Sequence, residues 1–232
     1  MPNLLNIEIP NLNELVENLE HKVFLLRLER GKYCRSTFRN ESVIGTFLVN
    51  DGAIAYWSAL NLHGLTEQFP NTLYIQTTRR KPAKVILGTP YHFVKIKEQK
   101  RGGISYNGYG SSKFAITDVE KTIVDCFDLP QYCEGYAELI QAFGSADLNA
   151  QKMIQYCDMV ANVAVTKRLG YLASLLQKAD LEQFIAYALT KVNATYNQFD
   201  SLGTNTGSFN SQWRLRLNIT EQDIHLLNHK QY

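Results

Sequence analysis

No stretch of this 232-residue chain approaches the ~18 consecutive apolar residues that a bilayer-spanning helix requires, so no membrane partner is expected. There is no G-x-G-x-x-G or Walker loop and no serine in a nucleophile-elbow setting, which removes the usual dinucleotide, P-loop and hydrolase readings. Cysteine is scarce: Cys34, Cys126, Cys133 and Cys157 form no C-x-x-C pair and have no histidine at finger-like spacing, which argues against structural zinc. The N-terminal MPNLLNIEIPNLNEL has neither a basic n-region nor a small-residue cleavage site. A cytoplasmic protein with reduced thiols is therefore expected. Cys126 and Cys133 are the one pair for which a disulfide is conceivable. The sequons at Asn40, Asn193 and Asn218 read as chance matches.

What the chain does have is an ordinary globular composition, 45% apolar and 20% charged, with its charge unevenly placed. Lys22 to Arg39 holds six basic residues and the single acid Glu29, for +5. Arg79 to Arg101 holds eight basic residues and the single acid Glu98, for +7. With a net charge of +2, the rest of the chain carries −10. Two basic islands in an acidic protein point to a polyanionic partner more strongly than the overall charge does.

At the front, Leu12, Leu15, Val16 and Leu19 recur at helical spacing and predict a helix from about Asn11 to Leu19, after an extended entry over MPNLLNIEIP. Phe24, Leu26 and Leu28 then alternate with Leu25, Arg27 and Glu29 as in a half-buried strand. Glu29-Arg30-Gly31-Lys32 reads as a turn and Tyr33-Cys34-Arg35 as the return strand. A helix followed by a basic hairpin is the second half of a winged helix, whose hairpin sets Arg and Lys on phosphates or in the minor groove. Its scaffold helix has little room ahead of it, so the module reads as incomplete. A solvated hairpin packed on its own helix is the competing reading.

Helical periodicity resumes over Ser42 to Val49, breaks at Asp51-Gly52, and continues through AIAYWSALNLHGL to a glycine stop at Gly64. NTLYIQTT, AKVILG, YHFVKIKE and SSKFAI predict strands joined by basic turns. Thr117 and Glu120 have the spacing of a capping box opening the helix DVEKTIVDCF, which Pro130 stops. Three further helices are expected over ADLNAQKMIQYCDMV, AVTKRLGYLASLL and DLEQFIAYAL, with Lys167 and Arg168 as surface charges. QWRLRLNI alternates as a strand, Arg214 and Arg216 on one side and Leu215 and Leu217 on the other, returning to complete the sheet.

The run AYWSALNLHGLTEQFPNTLYIQTT, then Arg79-Arg80-Lys81, YHFVKIK and ITDVEKTIVDCFDLPQYCEGYAEL, resembles the core of the AbiEi antitoxins. These are bacterial transcriptional regulators of abortive-infection type IV toxin–antitoxin systems. VTKRLGYLASLL is similar to the family's next segment, and the resemblance covers roughly Val23 to Leu176. It implies a winged-helix-like N-terminal module (1–46) that represses its own operon, then an antitoxin domain (47–232). It also implies operator DNA as a partner and a nucleotidyltransferase toxin, AbiEii, as the protein counteracted. The expected fold is α+β: a partial winged-helix-like helix and β-hairpin, then a mixed domain with a mainly antiparallel sheet packed by helices.

The nucleic-acid-binding residues expected are Arg27, Arg30, Lys32 and Arg35 on the hairpin, and Arg79, Arg80, Lys81, Lys84, Lys95 and Lys97 in the second island. Lys95 and Lys97 would share one strand face, with His92 nearby. The alternative is an interaction protein that does not bind DNA and docks an acidic protein or RNA through that face. Catalytic readings are weaker. Asp118 and Asp125 share a helix face but have Lys121 between them at pairing distance. Gly110-Ser111-Ser112 is followed by no D-x-D. His225 and His229 lack the glutamate of a zincin pair. His63, Tyr56 and Trp57 read as helix-end and core groups. No catalytic residue, metal or cofactor is assigned, and no enzyme activity is expected.

Overall fold

In the computed structural model, residues 9–229 are described. The first helix, α1 (Ile9–His21), starts ahead of the expected Asn11 and takes in part of the expected extended entry, the rest of which lies outside the described residues. Strands β1 (Leu25–Glu29) and β2 (Lys32–Arg35) then pair antiparallel, Leu26 opposite Cys34 and Glu29 opposite Lys32, with an irregularity between Arg27 and Glu29. Gly31 turns the hairpin at φ +74°, where a side chain would be strained.

Helix α2 (Glu41–Phe47) is opened by Asn40, whose side chain accepts from the Val43 N–H at 3.0 Å. It straddles position 46 and packs on the main sheet so closely that a Cβ on Gly45 would stand 2.5 Å from Ile75 Cδ1. The helix expected to continue from Ala53 is interrupted. Ala53–Ile54 is a short strand, β3, held between two neighbours in the sheet, and only then does α3 (Tyr56–Leu62) begin. Sheet pairing overrides helical periodicity there. Gly64, at φ +70°, stops α3 as expected.

Four of the next five strands were legible: β4 (Leu73–Thr77), β5 (Lys84–Ile86), β6 (Thr89–Lys95) and β8 (Phe114–Thr117). The strand β7 (Ile104–Asn107), after Gly102-Gly103, was not. The six-stranded sheet runs β5-β6-β4-β3-β8-β7. Three of its five pairings are antiparallel, but its longest ladder, β4 with β6, is parallel.

Helix α4 (Val119–Asp128) is capped by Asp118 rather than Thr117: Asp118 Oδ1 accepts from the Lys121 N–H at 2.9 Å. The Thr117 hydroxyl instead lies 2.7 Å from that of Thr122 inside the core, and Glu120 is drawn to the Asn149 N–H and to Lys152. Against α4 pack α5 (Tyr136–Ser145), α6 (Ala150–Val160) and α7 (Val163–Leu175), and α8 (Glu182–Thr190) packs on α6 and α7. Ile123, Val124, Phe127, Leu139, Phe143, Leu169 and Leu172 are fully buried among them. A second core lies between the other side of the sheet, α2 and the hairpin, built of Leu28, Ile44, Leu48, Ile75, Tyr91 and Phe93.

The chain ends with β9 (Asn197–Gln198), β10 (Ser208–Asn210), β11 (Leu215–Leu217) and α9 (Glu221–His229). The strand β11 does not return to the main sheet; it is the middle of a separate sheet, β10-β11-β9. Leu215 and Leu217 seal that sheet onto the helical core beside the buried Trp213. Lys167 and Arg168, expected on the surface, are buried and strap α7 to this sheet. Lys167 Nζ donates to the carbonyl oxygens of Thr195 (2.7 Å) and Arg214 (3.3 Å), and Arg168 Nε to that of Gln198 (2.9 Å). Burial, with Arg168 beside it, brings the Lys167 ammonium down to about 8.

Candidate nucleic-acid interface

Topology forces part of the two basic islands together. Because β4 and β6 run parallel, their C-terminal ends share one edge, with Thr77 opposite Lys95. The chain leaving β4 must reach β5 on the far flank of β6, so the loop 78–83, which holds Arg79, Arg80 and Lys81, passes over the end of β6 where Lys95 stands. Crossing two strand spacings requires roughly 10 Å. Asp51 secures the start of the loop, accepting from the Thr77 hydroxyl (2.6 Å) and from the Thr78 N–H (2.7 Å) and hydroxyl (2.6 Å). Burial acts to raise the Asp51 carboxyl, but these hydrogen bonds outweigh it and hold the group at about 2.

The same loop is tied to the tip of the β1–β2 hairpin. Lys81 Nζ lies 2.6 Å from one carboxylate oxygen of Glu29, and Lys32 Nζ lies 3.0 Å from the other. Lys84 Nζ donates to the Leu28 carbonyl at 3.1 Å, and Lys32 Nζ to the Leu48 carbonyl at 2.6 Å. Desolvation pushes Glu29 upward, but hydrogen bonds from Lys81 and Lys32 prevail and hold it below the ordinary carboxylate range. The lone acid of the first island is thus the joint between the two islands. The sequence offers one sign of this: Glu29 is the single carboxylate among seven charges.

The ten expected contact residues therefore divide by role. Lys32, Lys81 and Lys84 are committed to holding the hairpin against the loop. Arg27, Arg30, Arg35, Arg79, Arg80, Lys95 and Lys97 are exposed, and among the described residues none of their side chains makes an ion pair or hydrogen bond. Arg30 at the hairpin tip, Arg79, Arg80 and Lys95 lie around the crossing loop. Arg35 sits at the far end of the hairpin, opposite Leu25. Lys97 lies past the end of β6, ahead of a 3₁₀ turn, in extended backbone and exposed like Lys95, with the buried Ile96 between them. His92 projects from the other face of β6, its ring 5.3 Å from that of Tyr132 and 5.7 Å from that of Tyr74. Lys100 is bound to Asp128.

The groups weighed as catalytic have local partners. Asp118 accepts from Tyr156 (2.7 Å) as well as capping α4, and Asp125 is buried in an ion pair with Lys121. Gly110–Ser112 is an exposed 3₁₀ turn, and His63 Nε2 lies 2.7 Å from the Thr117 carbonyl oxygen. His225 is exposed; the His229 side chain lies outside the described ones. Tyr56 is buried against Tyr132, as a core aromatic. All four cysteines are free thiols, Cys126 and Cys133 included. Among the described residues, no three His, Cys, Asp or Glu side chains gather to hold a metal ion, and no helix is long and apolar enough to cross a membrane.

No family model matches the sequence, and no curated protein does. The fold is similar to the crystal structure of the RV2827C protein from Mycobacterium tuberculosis. The TM-score is 0.64 at 12% identity, over 94% of this chain and 83% of that one. At that identity the likeness speaks for the fold.

Proposed function

We propose that this chain is the antitoxin of a type IV toxin–antitoxin pair, counteracting a nucleotidyltransferase toxin and repressing its own operon by binding DNA. It acts by binding and carries out no reaction of its own. The observation that supports this reading is the Glu29 joint, which draws Arg30, Arg79, Arg80 and Lys95 around one crossing loop. Unpaired cations on a braced scaffold release phosphate counterions when they bind and give a salt-dependent affinity. The cytoplasm is the compartment that fits this role.

The test is a binding titration against DNA from upstream of the chain's own gene, across a salt series. Arg79→Glu with Arg80→Glu should abolish the shift; single changes to Gln should weaken it and flatten the salt slope by about one unit each. Retention of wild-type affinity by the double variant would overturn the assignment. Turnover of labelled nucleotide by the purified chain would overturn the non-enzymatic reading. Binding to an acidic protein or to RNA with no affinity for duplex DNA would favour the interaction-protein alternative.

A further inference from the structure

The small sheet β10-β11-β9 carries an exposed face that the proposed function leaves unused. Phe209 on β10 stands directly opposite Arg216 on β11, and the Arg216 guanidinium lies 5.2 Å from the centre of the Phe209 ring. Next to them, the Arg214 guanidinium lies 5.3 Å from the ring centre of Tyr196, the residue leading into β9. Tyr196 and Phe209 meet edge to face, 5.0 Å apart. Two arginines and two aromatic rings thus form one continuous patch.

The patch stays open to solvent. Phe209 is 62% exposed and Tyr196 37%. Neither guanidinium has a carboxylate within ion-pair distance among the described residues; Arg216 Nη1 is steadied by Asn205 Oδ1 at 2.7 Å, and Arg214 Nη1 by the Tyr196 hydroxyl at 3.3 Å. The segment 193–212 around the patch is uncharged except for Asp200, whose Oδ1 accepts from the N–H groups of Leu202 and Gly203. Arg214 also holds a positive φ of +50°, an unfavourable conformation for a side-chain-bearing residue that must be maintained by its surroundings. Beneath, Leu215 and Leu217 fix the sheet to the core, so the patch is presented on a rigid support.

We propose that this face binds single-stranded nucleic acid, a base stacking on the exposed Phe209 ring that Tyr196 braces edge to face, while Arg214 and Arg216 hold the flanking phosphates. Exposed rings provide sequence-tolerant stacking, and guanidinium groups provide both charge and a stacking plane. Duplex DNA keeps its bases paired and stacked, so it gains nothing from the rings. The site is built from other elements than the Glu29 joint and does not depend on duplex binding there.

Fluorescence polarisation of the full chain with labelled 12-mers of single-stranded DNA and RNA, and with a duplex of the same length, tests this. Tyr196→Ala with Phe209→Ala should weaken single-strand binding roughly tenfold or more and leave duplex binding unchanged. Arg79→Glu with Arg80→Glu should show the opposite pattern. Thermal melting of each variant establishes that it is folded; the less disruptive Phe209→Leu, which removes the aromatic face and keeps the bulk, should also weaken single-strand binding. The inference is overturned if the wild-type chain does not bind single strands. It is overturned equally if the folded aromatic variants bind them as well as wild type, or if an acidic peptide competes better than an oligonucleotide. Loss of duplex binding alone would count against the proposed function and leave this site standing.

Discussion

Lys81 Nζ and Glu29 Oε2 lie 2.6 Å apart, although 52 positions separate them in the chain. The pair joins the crossing loop to the hairpin, and Lys32 completes it from within the hairpin itself. Charge-assisted hydrogen bonds that join two surface segments also fix the arginines beside them. Glu29→Gln should cost about 1 kcal/mol in urea denaturation, a value reduced for partial exposure. Hydrogen exchange should quicken in β1 and β2 more than in α4. Because Glu29 sits below its ordinary range, its contribution is present above that range and is lost as pH falls below it. The difference between wild type and Glu29→Gln should therefore shrink in acid. A constant difference down to the lowest pH would refute the joint.

Lys121 and Asp125 form an ion pair with no access to solvent on the lysine side. Removing one partner strands the other charge, so Lys121→Met and Asp125→Leu should each cost about 3–5 kcal/mol, and the double change less than either. Burial raises Asp125 to about 6, with Lys121 opposing that rise. A raised carboxyl binds its proton more tightly in the folded chain, so its stabilising effect is complete below about pH 4 and declines as pH rises through 6. Thermal melts across that interval should show the decline in wild type and its absence in Asp125→Asn. A flat wild-type profile would contradict the burial argument.

Gly170 lies in α7, where alanine is the better helix former by about 1 kcal/mol. A Cβ there would come within 2.6 Å of Trp213 Cζ3 and 2.7 Å of Ala188 Cβ. Overpacking a buried contact costs about 1–3 kcal/mol, so Gly170→Ala should destabilise despite the helix preference. The near-ultraviolet signal of Trp213 should change with it. A stabilised variant would mean that α7 and Trp213 pack less tightly than described.

Lys167 donates to two carbonyl oxygens of the segments around β9 and β11. Lys167→Met keeps the bulk and leaves the Thr195 carbonyl unpaired, while that of Arg214 keeps the Asn197 N–H at 3.1 Å; the loss should cost about 1–3 kcal/mol. Limited proteolysis should then cut between 193 and 214 sooner than in wild type. Unchanged proteolysis would show that the strap is not what holds the small sheet.

These residues also show what a sequence conveys. The ladders of β4 and β6 and the helix α4 were legible because each buries a repeating apolar face. So was the alternation of Arg214 to Leu217, though not the sheet it joins, since pairing partners leave no mark on a three-residue strand. Lys167 and Arg168 look like surface charge because their acceptors are backbone carbonyls 28 to 47 positions away. The ten basic residues of the candidate interface were identifiable by type and clustering. Their division into structural lysines and free arginines was not, because it depends on a strand order that places β6 between β4 and β5.

That strand order has a consequence for length as well. Surface loops ordinarily accept insertions and deletions. The six residues between β4 and β5 have a gap of set width to bridge, with Asp51 gripping one end and Lys84 the other. Shortening the loop below that width would pull an edge strand out of register or release its grip on the hairpin. Lineages of this chain should therefore keep the number of residues in this loop as closely as the basic character of positions 79 and 80.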